Sequence, residues 1–529
     1  MGNERLLRPG EDWGAFVWSV PERFNIAVAC CDVWPGDRVA IVVPGGVDWT
    51  FGDLRERSDR LASAFAARGI GRGDRVAILL PQDPVVMLTH FAAMKLGAVT
   101  VPLFTLFGED ALRYRLEDSG ARACVTDAAG AERLAALDCQ ALEQVYVAGD
   151  AVAPHLSIDD EIARAAPLER VVDTAADDPA MLIYTSGTTG APKGALHAHR
   201  FLLGHLPSVE AQHEYLPQPG DIGWTPADWA WIGGLMDLAM PCLFHGLPLV
   251  AHRMGKFDPD AAFRLIRDEG VRNLFLPPTA LKLMRQAEVP EGLRVRSVAS
   301  GGESLGADLH DWAGKVLRAP VNEIYGQTEA NLVITTCHAA MDLHPGSMGR
   351  AAPGHEVAVL GPDDAPMTGE IGEICVRTPD PVMFLGYWNR PEATAEKVRN
   401  GWLRTGDLGT CDADGYFTFV SRDDDVITSA GYRIGPTEIE ACLNGDPDVV
   451  NAGVVGLPDP VRTEAVTAFV VAREGANAET LEARLQKRAR DRVGPYAAPR
   501  RYVFVDTLPL TATGKVMRRR LREAGSEEP

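Results

Sequence analysis

Cysteine is scarce and unpatterned: nine thiols in 529 residues, with an adjacent Cys30-Cys31 and no CxxC spacing. That excludes a disulfide scaffold and argues against a zinc site, leaving buried or incidental thiols in a reducing compartment. Basic residues are also in short supply, 52 Lys and Arg against 73 Asp and Glu, a formal charge of −21. So acidic a chain is a poor general binder of nucleic acid, and any anionic substrate must find a local positive site. No apolar run is clean enough to span a membrane. The nearest, residues 233–251, is interrupted by Asp237, Pro241, His245 and Pro248, and a buried helix and strand explain it better. The opening MGNERLLRPGEDWGAF puts no apolar core behind its positive charges, so it does not read as a secretory signal and a cytoplasmic protein is expected.

What is present is the composition of a packed enzyme, with 46% hydrophobic and 24% charged residues. At roughly 100–200 residues per domain the length suggests three to five folding units. Over residues 53–68, Leu54, Leu61, Ala64 and Phe65 share one helical face behind a Thr50/Asp53 capping box. Two nearly identical segments, GDRVAIVVP from Gly36 and GDRVAILLP from Gly73, each read as a turn followed by a buried strand, a shared local need rather than a repeat architecture. Strand-like VRNLFLP, VRSVAS and VNEIYG alternate with helical stretches, which predicts α/β layers with largely parallel sheets through the first 420 or so residues. The pattern then changes to a helix over 436–443, strands VNAGVVGLP and EAVTAFVVA, a helix rich in Arg and Glu, and strand RYVFVD. The expected fold is therefore a large layered α/β N-terminal domain, residues 1–421, and a small α+β C-terminal domain, residues 422–529, joined near Arg422 to Asp425.

The densest chemical signal is Tyr184-Thr185-Ser186-Gly187-Thr188-Thr189-Gly190-Ala191-Pro192-Lys193-Gly194, directly behind the apolar run Met181-Leu182-Ile183. Three glycines, Gly187, Gly190 and Gly194, let the backbone approach a ligand, the hydroxyls offer hydrogen bonds, and Lys193 supplies charge, which suits polyphosphate. Pro192 stands where the Walker pattern requires glycine, so a P-loop NTPase is disfavoured. The Asp423-Asp424-Asp425 cluster is open to two readings: a charged loop or a divalent-metal site. Taken alone, Lys515 in its Thr-Gly-Lys turn is an ordinary surface lysine, and Arg518, Arg519, Arg520 and Arg522 are the solvated end of a helix.

Together with that loop, Tyr325-Gly326-Gln327-Thr328-Glu329, Gly372-Glu373-Ile374, Arg404-Thr405-Gly406-Asp407-Leu408, residues 422–426, Gly431-Tyr432-Arg433-Ile434-Gly435-Pro436-Thr437-Glu438-Ile439-Glu440 and Thr513-Gly514-Lys515-Val516 occur in order along the chain. In these motifs the sequence resembles the adenylate-forming superfamily of acyl-CoA synthetases, nonribosomal adenylation domains and luciferases, with its details most similar to medium-chain acyl-CoA synthetases. The resemblance implies two half-reactions: a carboxylate attacks ATP to give acyl-AMP and pyrophosphate, and CoA then displaces AMP. It implies that Thr185, Ser186, Gly187, Thr188, Thr189, Gly190 and Lys193 hold the outer phosphates, that Glu329 holds Mg²⁺ and that Thr328 contacts the α-phosphate. Asp407 would take the ribose hydroxyls, Arg422 the ribose region, and Tyr325 would stack on adenine opposite Gly301 and Gly302, with Glu303, Glu323 and Gln327 in the same nucleotide set. Lys515 would swing in to stabilise charge on the α-phosphate, Asp424 would be the hinge, and the turn with Gly431 and Arg433 would pass near pantetheine; CoA phosphates are a second reading of the tail arginines.

By the same resemblance, tryptophan at the position of Gly326 closes the pocket of acetate-using relatives, so glycine is expected to leave room for a longer acid. Trp224, Thr225, Trp229 and Trp231, with Gly302 and Gly326, would build an apolar pocket, the alternative for the tryptophans being plain core packing. The expectation is thus an ATP-dependent carboxylate–CoA ligase for a medium-chain acid. A branched-chain or aryl acid ligase, a carrier-protein-loading adenylation enzyme, a luciferase-like oxygenase and a non-catalytic nucleotide-binding scaffold are its rivals. The partners are a small carboxylic acid, ATP and CoA, with no nucleic acid and no stable membrane insertion, and a homo-oligomer is left open.

Overall fold

The computed structural model describes residues 4–137, 139–185, 192–344, 346–429, 432–459, 462–495, 497–511 and 514–527, and of residues 424, 428, 432, 433, 526 and 527 the backbone alone. Two large sheets dominate. One has nine strands, in the order Arg350–Ala351, Ala330–Thr335, Val321–Gln327, Ser297–Gly301, Asn273–Phe275, Gly223–Trp224, Leu249–Val250, Val39–Val42, Trp49–Thr50. The other has eight, running Gly386–Tyr387, Lys193–Ala198, Pro179–Thr185, Val99–Pro102, Arg75–Leu79, Ala123–Thr126, Gln144–Val147, Leu156–Ser157. The near-identical segments from Gly36 and Gly73 supply one parallel strand to each sheet, so the same turn-then-strand chemistry serves two different layers.

The helix Phe51–Ala67 starts where the capping box places it: Asp53 N–H donates to Thr50 Oγ1 at 3.1 Å and Thr50 N–H to Asp53 Oδ2 at 2.9 Å. It packs on the helix Pro84–Lys95, and both contribute to a core shared with residues of the two sheets and with the buried helix Phe201–Gln212. Lys95 is fully buried in that core and its charge is met by Asp32 Oδ1 at 2.9 Å and Asp59 Oδ1 at 2.7 Å. All nine cysteines are free thiols, and among the described residues no helix is long and apolar enough to cross a membrane.

One expectation about layering fails. Residues 357–422 are not α/β: Pro366–Met367, Val357–Leu360, Gly372–Arg377, Trp402–Cys411, Val398–Arg399 and Phe417–Arg422 form a six-stranded sheet with every pairing antiparallel. Parallel neighbours need a crossover of a dozen or more residues, usually helical, and this stretch has only the seven-residue helix Pro391–Lys397. Beyond it lies a five-stranded sheet built from Tyr432–Ile434, Ile427–Ser429, Thr463–Ala472, Val449–Asp459 and Arg501–Phe504, covered by helices Pro436–Asn444 and Ala478–Arg492 around its own core.

Candidate active site

The site forms at the carboxyl ends of parallel strands, where open α/β sheets leave a crevice. Ser297–Gly301 and Val321–Gln327 run side by side with Gly301 opposite Ile324. A Cβ on Gly301 would lie 2.6 Å from Ile324 O, so only glycine permits this approach. At Gly302, φ is +90°, and a Cβ there would stand 3.0 Å from the Trp231 ring and 4.0 Å from Lys515 Cε. Gly302 is therefore where a tryptophan from residue 231 and a lysine from residue 515 meet.

Asp407, on Trp402–Cys411 and 6% exposed, collects the other strands. Its carboxylate accepts from Tyr325 OH at 2.6 Å, Gln327 Nε2 at 3.2 Å and Arg422 Nη1 at 3.0 Å. Tyr325, Gly326, Gln327, Glu323, Gly302, Glu303, Asp407, Arg422 and Lys515 all line one cavity of about 720 Å³. Burial pushes Glu323 up to about 7, against the hydrogen bond it accepts from the Leu305 N–H. Burial likewise raises Glu303, countered by Lys282 and Lys515 and by a 3.2 Å bond from Thr279 Oγ1.

Lys515 is exposed and borders the same cavity. The turn closes through Thr511 N–H to Lys515 O at 2.8 Å and Lys515 N–H to Thr511 Oγ1 at 3.0 Å, with Gly514 at φ +85°. This turn presents the ammonium to the cavity, where water still reaches it. The surrounding walls lower its pKa, opposed by Glu303, Asp407 and Glu329. The tail arginines are a correction: Arg518 bonds Asp425 Oδ2 at 2.9 Å and Glu440 Oε2 at 2.6 Å, and Arg522 bonds Asp425 Oδ1 at 2.9 Å, so these two form a clamp and not a solvated helix end. Arg519 pairs with Glu523 at the surface. With Asp425 so engaged, and no group of three or more potential ligands gathered among the described residues, a metal site at residues 423–425 is not supported.

Thr328 and Glu329 form the two-residue turn between Val321–Gln327 and Ala330–Thr335. Glu329 is 7% exposed and accepts from Tyr387 OH through Oε1. One carboxylate without a protein cage fits Mg²⁺, which takes one or two carboxylates and completes its octahedron with water and substrate phosphates. Thr185 pairs with Lys193 across the ladder of Pro179–Thr185 and Lys193–Ala198, so the glycine-rich segment joins two antiparallel strands instead of entering a helix, a second departure from a P-loop NTPase. Ser186, Gly187, Thr188, Thr189, Gly190 and Gly431 lie outside the described residues, as do the side chains of Asp424 and Arg433.

The pocket residues divide. Trp224 is fully buried in the core under helices Pro259–Asp268 and Ala307–Leu317, away from the cleft, and Trp229 is core at 1% exposure. Thr225 is buried, its Oγ1 accepting from Ala227 N–H at 3.1 Å. Only Trp231, half-buried beside Gly302 and 5.5 Å from the Phe275 ring, reaches the site. The space expected beside Gly326 is filled by backbone: a Cβ there would lie 2.2 Å from Leu332 N and 2.8 Å from Asn331 C. Two residues that no motif singled out join the cluster. Tyr387 bonds Glu329, and Lys397 Nζ donates to Thr405 O at 3.2 Å, an oxygen shared with Gln327 Nε2.

A buried carboxylate with three donors, a second carboxylate on a turn and a lysine from the far end of the chain thus gather around one cleft. Residues 29–388 match the AMP-binding enzyme family and residues 438–515 the AMP-binding enzyme C-terminal domain. The acetyl-coenzyme A synthetase of Bacillus subtilis (strain 168) is 32% identical over 489 residues, covering 90% of this chain and 84% of its own. The mitochondrial acyl-coenzyme A synthetase ACSM2 of Rattus norvegicus is 32% identical over 98% of this chain and 94% of its own. Among solved structures, an anthranilate CoA ligase, AuaEII, in complex with anthranoyl-AMP superposes with a TM-score of 0.88 at 25% identity, covering 96% of this chain and 98% of that one. The chain belongs to the AMP-binding enzyme family and, within it, to the acyl-CoA synthetase branch of AMP-forming acid–thiol ligases.

Gly326→Trp is expected to lose stability, about 1–3 kcal/mol or more, instead of trading long acids for short ones, because the indole must displace the Asn331–Leu332 backbone. Thermal unfolding together with the acetate-to-hexanoate activity ratio checks this, and an unchanged melting temperature with selectivity shifted to acetate would restore an open pocket there. For Glu323, the folded pKa of about 7 exceeds the ordinary 4.5, so its contribution to stability is full below 4.5 and is lost as pH rises through 7. Glu323→Gln should flatten the fall of melting temperature between those values, by less than a wholly enclosed carboxyl would give since Glu323 borders the cleft. Parallel pH profiles of variant and parent would refute the shift.

Proposed function

We propose that the protein is an ATP-dependent carboxylate–CoA ligase: carboxylate and ATP give acyl-AMP and pyrophosphate, and acyl-AMP and CoA give acyl-CoA and AMP. The observation that carries this reading is Lys515, far along the chain from the other site residues yet placed beside Gly302 in the cavity of Tyr325, Asp407 and Arg422. In the first step the carboxylate oxygen attacks the α-phosphorus while the α–β bridge breaks, and charge grows on the phosphoryl and leaving oxygens. Such a transition state asks for positioned cations more than for covalent help. Lys515 and Arg422 supply them on one side, Lys193 on the other, and Thr328 contacts the α-phosphate. Mg²⁺, held by Glu329, would neutralise phosphate charge. Asp407 already accepts three hydrogen bonds, so taking both ribose hydroxyls exchanges at least the Tyr325 bond, which frees that ring to lie on adenine opposite Gly301 and Gly302.

The boundary at residues 421/422 and a hinge at Asp424 belong to the same proposal. The 3₁₀ turn Asp423–Asp425 is the short link between Phe417–Arg422 and the strand Ile427–Ser429, and rotation there would withdraw Lys515 and bring Gly431 and Arg433 to the thioester-forming position. For the acid, we infer an apolar monocarboxylate. A medium-chain fatty acid is supported by the acyl-coenzyme A synthetase relatives at 32% identity, and an aryl acid by the Trp231–Phe275 ring pair beside Gly302.

Pyrophosphate release should be measured with linear acids of two to twelve carbons, branched acids and benzoates, with and without CoA. The greatest release with six- to ten-carbon acids, and AMP turnover only with CoA, is expected. Preference for benzoates selects the aryl reading, and pyrophosphate release indifferent to CoA points to another acceptor. Lys515→Ala should slow acyl-AMP formation by ~10²–10³ and leave thioester formation from supplied acyl-AMP largely intact. Equal loss in both halves would remove Lys515 from the first transition state.

A further inference from the structure

Two charged groups of the site meet at one side chain. Tyr387 lies on the edge strand Gly386–Tyr387, opposite Ala195 of Lys193–Ala198. Its register is pinned on both sides, by Trp388 N–H to Gly194 O at 2.7 Å and Leu385 N–H to Leu196 O at 2.6 Å, and its own N–H donates to Thr394 Oγ1 at 2.9 Å. The ring is 9% exposed and packs edge-on against Phe384 at 5.0 Å. From this seat the hydroxyl donates to Glu329 Oε1, and the ring face lies 5.0 Å from Lys193 Nζ.

An ammonium and a carboxylate gathered at one ring in a partly desolvated cleft would ordinarily close into an ion pair, which would spend both charges on each other. Here each is occupied without being neutralised. A phenol hydroxyl takes one carboxylate oxygen and leaves its charge, and an aromatic face seats an ammonium while its donors stay available. We propose that Tyr387 is a positioning residue that holds Glu329 and Lys193 apart, so that a divalent cation and the outer phosphates of the nucleotide are taken up by charges not already paired.

The inference rests on the roles given to Glu329 and Lys193 above, and its test separates the two. The probe is α,β-methylene-ATP, whose P–C–P bridge cannot be cleaved, titrated calorimetrically over a series of Mg²⁺ concentrations into the parent enzyme, Tyr387→Phe and Tyr387→Leu. Tyr387→Phe keeps the ring and loses the hydroxyl: the Mg²⁺ needed for half-maximal analogue binding should rise on the order of tenfold, with affinity at saturating Mg²⁺ changed by less than about twofold. Tyr387→Leu also loses the ring face, so affinity at saturating Mg²⁺ should fall as well, by about two- to fivefold. An unchanged Mg²⁺ requirement in Tyr387→Phe overturns the proposal, as does a Tyr387→Phe that loses melting temperature and analogue affinity without moving that requirement. Should Tyr387→Leu fail to fold, Tyr387→Phe alone decides. A parent enzyme that binds no analogue at any Mg²⁺ concentration would instead overturn the nucleotide reading itself.

Discussion

The Asp407 carboxylate is the group around which the site is assembled. An ionised carboxylate at 6% exposure is costly unless every available partner is used. Its partners come from outside its own strand: Tyr325 and Gln327 from the nine-stranded sheet and Arg422 from the end of Phe417–Arg422. Satisfying one buried charge thus ties the antiparallel sheet to the nine-stranded one. Arg422 is also the last residue before the 3₁₀ turn that leads into the C-terminal sheet, so the anchor of that unit and the Tyr325–Gln327 wall of the cleft are set by the same carboxylate.

The energetics of the C-terminal unit divide in a way that suits delivery of a lysine. Within the unit, Arg518 is enclosed between Asp425 and Glu440, and removing a partner from such a buried group typically costs about 3–5 kcal/mol. The segment carrying Lys515 is therefore held firmly to its own unit. Contacts to the large body are of another kind: Arg488 and Arg492 share Asp308 at 2.7 and 3.4 Å, and Lys282 reaches Asn451 at 3.2 Å. Solvent-facing pairs of this sort contribute about 0–1 kcal/mol each. A unit rigid inside and weakly docked outside can bring a charge to a precise place and still leave.

What could be read from the sequence is what repeats locally. The capping box at Thr50, the paired turn-then-strand segments and the parallel run through residues 273–327 all depend on neighbours within a few residues, and the structure shows them where periodicity and turn chemistry put them. Readings that failed concern neighbours distant in sequence. Gly326 promised space, yet what fills it is the backbone of the returning strand, which no residue type announces. Trp224 and Trp229 belong to the core because apolar side chains lining a pocket and apolar side chains lining a sheet have the same composition. Arg518 looked solvated because its partners, Asp425 and Glu440, lie 93 and 78 residues away. Tyr387 carried no signal at all, since its importance comes from an edge strand that sets it between Glu329 and Lys193.

Charge supplies the last step. ATP, the acid and CoA are all anionic, and the chain's formal charge is −21, so the long-range field opposes every substrate. That charge is unevenly held: residues 426–529 contain 15 of the 52 basic and 14 of the 73 acidic residues, so nearly all of the excess lies in the first 425. Beyond about 8 Å at physiological ionic strength the repulsion is largely screened, and binding is decided by what stands within a few Å of the phosphates. In the proposed roles, Arg422, Lys193 and Lys515 stand there and outweigh a distant acidic surface. Of the three, only Lys515 belongs to the nearly neutral unit. In the proposed cycle, docking that unit adds the last cation after substrate has entered and its withdrawal precedes thioester formation, whereas a lysine fixed in the acidic body would bind product as tightly as it stabilised the transition state.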